Sequence, residues 1–227
     1  MIKFNKVTKK FKNGTFGISN INIIVEEGEF VFLTGSTGAG KSTLIRLLIA
    51  DILPSEGSIK IGDLEVTKLP KRKIPELRRS IGVIFQELKL LTDRTVKENI
   101  ALSLEILGKN HQEIDKAVVE AIKIVNLEGL EDKFPLQLSG GELQRTAIAR
   151  ALIKKPKIIL ADEPTADLDP ATSWGIIELL NNINKSGTTI IMATHNMEIV
   201  NSLGKRVITL DKGKIIKDQK KGKYETK

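Results

Sequence analysis

The run "GSTGAGKS" at Gly35–Ser42 meets the spacing G-x-x-x-x-G-K-[ST] in full, and the chemistry of that spacing is phosphate binding. Its glycines let the backbone N–H groups of Gly35, Ser36, Thr37, Gly38, Ala39 and Gly40 turn inward around an anion. The helix expected from "STLIRLLIA" adds partial positive charge at its start. Lys41 is placed to reach the β and γ phosphates of a nucleotide, Ser42 to offer a hydroxyl to Mg²⁺, and Thr43 to complete the cradle. A second stretch, "KIILADEP", reads as a strand that delivers two adjacent carboxylates at its end. Asp162 would hold the magnesium shell, while Glu163 points elsewhere and could polarise a water aimed at the γ-phosphate. Alone, such a pair is an ordinary surface turn; behind a phosphate loop it becomes a signal.

Three further side chains have roles only if the fold brings them to this place. Gln86 closes a short apolar run and could touch magnesium or the attacking water. His195 ends another run and could contact the γ-phosphate, and Phe11 could stack on a purine. By type alone, each would be a solvated or packed residue. His111 and Trp174 are read as loop and packing residues with no site role. The stretch "QLSGGELQR" prepares a second helix start: Ser139 and Glu142 form an S-x-x-E capping box around Gly140 and Gly141. A well-capped helix needs no ligand, yet paired glycines cost backbone entropy and suit a place where something approaches the main chain closely.

The elements that must hold these groups follow from periodicity. Short apolar runs at Phe30–Leu33, Ile81–Phe85, Lys157–Ala161 and Ile190–Ala193 each end at polar residues and alternate with helical stretches. That predicts an α/β fold with a parallel sheet whose strand ends face one site. Earlier, Ile21, Ile23 and Val25 alternate, and Gly62-Asp63 separates two apolar runs, which predicts a small antiparallel sheet. From Glu87 to about Leu152 the pattern turns helical, with a capping box at Thr95 and Glu98 and a helix expected over Glu113–Val125.

Composition narrows the setting. The chain has 227 residues and no cysteine, so disulfides and thiolate metal sites are excluded and a reducing compartment is expected. No apolar stretch resembles a signal peptide or a membrane span, which points to the cytoplasm. The formal charge is +8, with seven lysines between Lys212 and Lys227. These read as a solvated tail, with anionic lipid as a possible contact. Aromatics are only 4% of the chain, so stacking platforms for nucleic acid are few and no nucleic-acid partner is expected.

Taken in order, the phosphate loop, Gln86, "LSGGE", "LADEP" and His195 resemble the ATP-binding cassette (ABC) ATPases over essentially residues 1–215. The resemblance implies a P-loop NTPase core of mixed sheet, with a RecA-like parallel part and a small antiparallel β subdomain, in a single domain. Residues 1–86 and 153–215 would form that core, 87–152 a helical subdomain with the signature motif, and 216–227 a basic tail. It also implies that Ser139, Gly140, Gly141 and Glu142 bind the ATP lying on another subunit's phosphate loop, so that the chain works as a head-to-tail homodimer. Phe11 corresponds to the adenine-stacking aromatic, Asp169 in "TADLD" to the loop that crosses the dimer interface, and His195 to the switch histidine. Leu143, where glutamine is frequent, and "PTADLD" depart from the common pattern without removing a chemical group.

Lys89, Leu90, Leu91 and the Arg94-Thr95 pair resemble the cell-division branch of the family, although Thr92 replaces a proline often seen there. That branch implies an ATP hydrolase, peripheral on the inner face of the cell membrane, that signals to an integral membrane partner of the FtsX type. A lipoprotein-release or macrolide-type exporter motor is the alternative. A soluble ABC ATPase acting on nucleic acid, or a scaffold that scarcely hydrolyses, ranks lower. No N-K-x-D motif is present to read guanine.

Overall fold

The computed structural model describes residues 1–222. An antiparallel sheet in the order β2-β1-β4-β5 is formed by β1 (Ile2–Lys10), β2 (Phe16–Val25), β4 (Glu56–Ile61) and β5 (Leu64–Glu65). The alternation read in sequence is realised, since Ile21, Ile23 and Val25 are all buried. The second sheet has six strands in the order β10-β9-β3-β8-β7-β6: β3 (Phe30–Thr34), β6 (Ile81–Ile84), β7 (Ile158–Asp162), β8 (Thr189–Ala193), β9 (Arg206–Asp211) and β10 (Lys214–Gln219). Its first five strands from the β6 edge are parallel, and β10 alone runs antiparallel, against β9.

Each central strand is covered on both faces, which is why it reads as an unbroken apolar run. Phe30 and Phe32 of β3 point to one side, with Ile159, Ile190 and Met192. Val31 and Leu33 point to the other, towards the antiparallel sheet and α1 (Lys41–Leu48). Parallel register then carries the ends of β3, β7 and β8 to one edge: Leu33 pairs with Ala193, and Asp162 with Ala193 on the other side.

After α2 (Ile74–Ser80) and β6, the chain forms α3 (Val96–Glu105), α4 (His111–Val125) and α5 (Gly140–Leu152), then α6 (Pro170–Lys185) and α7 (Met197–Leu203). The Thr95 capping box is present, with the Glu98 carboxylate accepting from the Thr95 backbone N–H at 2.7 Å. Two expectations are corrected. His111, expected in a loop, opens α4, because Asn110 caps that helix two residues earlier than the periodicity showed. The basic tail expected from 216 is still strand to Gln219. There Asp218 accepts two N–H bonds from Arg206 at 2.8 and 2.7 Å, which holds β10 on the sheet. Residues 223–227 of that tail lie outside the described residues.

The segment that follows Gln86 is held by one buried side chain. Asn99 of α3 accepts from the Leu91 backbone N–H at 2.8 Å and donates to the carbonyls of Leu91, Arg94 and Thr95, each at 3.0 Å. Asn99→Ala would strand these groups in a fully buried place, so we expect a loss of about 2–4 kcal/mol of stability. Urea unfolding of the purified variant measures it, and an unchanged midpoint contradicts the assignment.

Candidate active site

The phosphate loop sits between β3 and α1. Gly35 (φ 136°) and Gly40 (φ 111°) adopt backbone conformations that other residues avoid. A side chain at Gly35 would run into the Leu210 carbonyl, and one at Gly40 into that of Gly17. The start of α1 carries no side-chain cap, so its first N–H groups stay available to an anion. Lys41 is buried, and its ammonium donates to the carbonyls of Gly35 at 2.8 Å and Ser36 at 3.3 Å. The same ammonium lies 3.7 Å from the Glu163 carboxylate. The cation of the loop and the carboxylate just after β7 are therefore an ion pair.

Asp162 is the last residue of β7, and Glu163 leaves the strand with φ 48°. That left-handed turn sends the two neighbouring carboxylates in different directions, as their expected roles require. Glu163 Oε2 accepts from the His195 backbone N–H at 3.3 Å and lies 2.9 Å from His195 Nδ1. The Glu163 N–H donates to Ala193, which ties the turn to β8.

Burial pushes the Asp162 carboxyl up from its ordinary range; the Ser42 hydroxyl bonded to it lowers it again, neighbouring Glu163 raises it and Lys41 lowers it. Its Oδ1 is buried without any hydrogen-bond partner. An orphaned anionic oxygen beside a serine hydroxyl is the donor set a hard cation takes, so the residues present fit magnesium. No group of three His, Cys, Asp or Glu side chains is placed to hold a metal ion among the described residues. The remaining ligands would therefore be hydroxyl, amide and phosphate oxygens. The raised carboxyl has a consequence for stability. Its contribution is full below the ordinary carboxylate pKa and is lost as pH rises through the folded value, so at neutral pH the ionised group costs stability. Asp162→Asn should raise the ligand-free melting point at pH 7. That gain should vanish below the ordinary carboxylate range, and the stabilisation by magnesium nucleotide should be lost. Thermal melts at two pH values, with and without MgATP, read all three effects.

A cleft of about 500 Å³ joins these groups: Thr37, Gly38 and Gly40–Thr43 line it together with Phe11, Gln86, Glu163 and His195. Thr15, Phe16 and Gly17 complete its wall. Sequence reading missed these three, and only Gly17 carried a signal. A side chain there would meet the Phe11 ring and Thr43, so the glycine lets the aromatic lie against the start of α1. Trp174, read as a packing residue, is instead 40% exposed on α6 and lines a cavity of about 150 Å³ behind Glu163 and His195.

The second prepared helix start is not in this cleft. Ser139 donates to Glu142 Oε2 at 2.7 Å through both its hydroxyl and its backbone N–H, so the capping box is complete. Those two bonds hold the Glu142 carboxyl below the usual range. An added Cβ at Gly141 would lie 2.5 Å from Thr172 Cγ2, and one at Gly140 would lie 3.2 Å from Leu168 Cδ2. Close approach to α6 thus gives the paired glycines a structural reason. Asp169 caps α6 by accepting from the Thr172 N–H at 3.0 Å and also lies outside the cleft. Within one chain, then, neither Ser139–Glu142 nor Asp169 lines the cleft of the phosphate loop.

The profile of the family described as "ABC transporter" matches residues 18–166. The chain belongs to this family of ATPases. Curated relatives named "Cell division ATP-binding protein FtsE" support the same assignment. The one from Streptococcus pneumoniae is 46% identical over 99% of this chain and 97% of its own. Those from Bacillus subtilis (44%, covering 99% and 98%) and Escherichia coli (43%, covering 94% and 96%) agree. Among solved structures, the dimeric post-hydrolysis state of the ATP-binding cassette MJ0796 bound to ADP and Pi has a TM-score of 0.90. It is 35% identical and covers 99% of this chain and all of its own. The α/β architecture of an ABC ATPase is therefore the fold observed, and the cleft described above lies where its phosphate loop opens. Among the described residues no helix is long and apolar enough to cross a membrane.

Proposed function

We propose that the chain is the ATP-binding and ATP-hydrolysing subunit of a cell-division membrane complex. It would dimerise on ATP and signal to an integral membrane partner of the FtsX type from the inner face of the membrane. One observation carries this reading. Lys41, Ser42, Asp162, Glu163 and His195 converge at one sheet edge, while Ser139–Glu142 at the start of α5 do not line their cleft. A second copy, turned head to tail, supplies what each cleft is missing. The dimeric form of the solved cassettes and the cell-division names of the FtsE relatives support it.

In this reading, Phe11 stacks on the adenine, and the loop from Gly35 to Gly40 with Lys41, Ser42 and Thr43 holds the phosphates. Ser42, Gln86 and Asp162 would hold magnesium, which supplies charge neutralisation on the phosphate oxygens. Glu163 accepts the proton of a water whose oxygen bonds to the γ-phosphorus as the bond to the bridging oxygen breaks. His195 orients that carboxylate and faces the γ-phosphate, and Asp169 meets the partner copy at the interface. The partner copy's own Ser139-to-Glu142 turn would clasp the same phosphate. Because both subunits hold the γ-phosphate, its hydrolysis removes the bridge. A preference of about 5.5 kcal/mol is enough to move an open–closed balance from 1:99 to 99:1.

The helices within 87–152 are the part proposed to meet the membrane partner, and the lysines from Lys220 onward could add an anionic lipid contact. Copurification tests the reading. A tagged chain solubilised from its native membranes should bring down an integral membrane protein of the FtsX type. Recovery of an exporter permease or a lipoprotein-release permease instead would move the chain to that branch, and recovery of no membrane protein would overturn the proposal.

A further inference from the structure

The positive charge of the chain collects on α2 and the turn before it. Between Lys68 and Arg79 six cations stand against one carboxylate, Glu76. Lys68 is paired with Glu65 at 3.1 Å. Lys71, Arg72, Lys73 and Arg79 are exposed and, among the described residues, have no carboxylate in ion-pair range. A charge run on a loosely held loop would be an ordinary solvated surface, but this one is mounted firmly. Leu77 is fully buried beneath it, and Ser80 Oγ closes the helix on the Leu77 carbonyl at 2.7 Å. The Arg78 guanidinium donates to the carbonyls of Ile49 and Ala50, and Lys154 donates to that of Arg78.

Arg78 and Lys154 also reach a neighbouring groove of about 740 Å³ along β6, whose Ile106, 69% exposed, and Arg150 belong to the 87–152 segment proposed above for the membrane partner. Arg78, Arg150 and Lys154 hold backbone carbonyls alone. Of the acids nearby, Asp51 is taken by Arg46 and Glu87 by Lys89, and Asp162, which also lines this groove, is bonded to the Ser42 hydroxyl. Lys71, Arg72, Lys73 and Arg79 do not line that groove and stay exposed on α2 and the turn before it.

We propose that α2 and the turn before it, through Lys71, Arg72, Lys73 and Arg79, dock on anionic lipid headgroups. The inference rests on the peripheral-membrane reading above and places the contact on a folded element instead of the terminal lysines. Flexible stems carrying point charges suit a diffuse negative surface, since they need no fixed partner geometry. Nucleic acid fits less well, because no Phe, Tyr or Trp lies from residue 60 to 84 to stack on a base and Phe85, next in the chain, is half-buried with Lys89 over its ring.

Vesicle sedimentation of the full chain tests this. Vesicles of phosphatidylcholine mixed with phosphatidylglycerol should retain the protein, retention should weaken as salt rises, and vesicles of phosphatidylcholine alone should not bind. Each cation near such a surface is worth about fivefold in partitioning, so Lys71→Gln, Arg72→Gln and Lys73→Gln together should weaken binding about a hundredfold. ATPase rate and thermal melting of that triple variant should match the parent. A chain ending at Gly222 should still bind. Undiminished binding by the triple variant, binding lost on truncation alone, equal retention on both vesicle types, or stronger retention on duplex DNA at the same salt would each overturn the proposal. The assay contains no membrane protein, so its failure and a failure of copurification are separate results.

Discussion

Glu163→Gln should lose steady-state ATP hydrolysis by roughly 10²–10⁴-fold, the range spanned by removal of a general base, while ATP binding persists and dimers accumulate. Glutamine keeps the shape of the side chain and one oxygen that can still accept from His195 Nδ1, now 2.9 Å from the carboxylate. It loses the affinity for a proton. It also removes the anion that lies 3.7 Å from Lys41, so the ammonium is no longer shared with β7 and is free for phosphate. Binding should therefore be as tight as in the parent or tighter, and without hydrolysis the γ-phosphate bridge should not be cut. Phosphate-release kinetics and light scattering with MgATP give the two readouts. An unchanged rate would remove Glu163 from the role of base, and a monomer with bound ATP would remove the shared clasp.

The parts of this site that were legible in sequence are those set by local rules. The phosphate loop has to be glycine-rich because Gly35 and Gly40 occupy positive φ with carbonyls pressed against them. The runs that deliver Asp162 and His195 were legible because strands buried on both faces leave no polar gaps. Capping boxes at Thr95 and Ser139 fixed two helix starts to the residue. What was not legible depends on partners far along the chain. Lys and Asp in "KIIKDQ" read as tail, yet Asp218 makes an edge strand of it through Arg206, twelve residues earlier. The left-handed turn at Glu163, which separates its carboxylate from that of Asp162, shows no glycine or asparagine to announce it. The close approach of Gly141 to Thr172 links two helices that local periodicity treats as independent. The strand order that places β3 between β8 and β9 has no local signature at all.

Mixing two inactive variants should restore activity. Lys41→Ala removes the ammonium of the phosphate loop, and Gly140→Asp puts bulk and negative charge at the second helix start, where the residue is exposed and its neighbour Leu168 can give way. Each variant alone should be inactive, because a two-fold dimer of either one carries the same lesion in both clefts. Random pairing of equal amounts makes about half the dimers mixed. In a mixed dimer, the cleft built from the Lys41→Ala loop also receives the Gly140→Asp turn, so both lesions fall in one site. The other cleft joins an intact loop to an intact turn. If each site fires on its own, the mixture should recover about a quarter of the parent rate. If the sites must fire together, the rate stays low but the intact cleft still traps one nucleotide per mixed dimer, which a filter assay with labelled ATP counts. A mixture with neither activity nor trapped nucleotide would mean that each chain closes its own site, and the Ser139–Glu142 start would then be only a capped helix packed on α6.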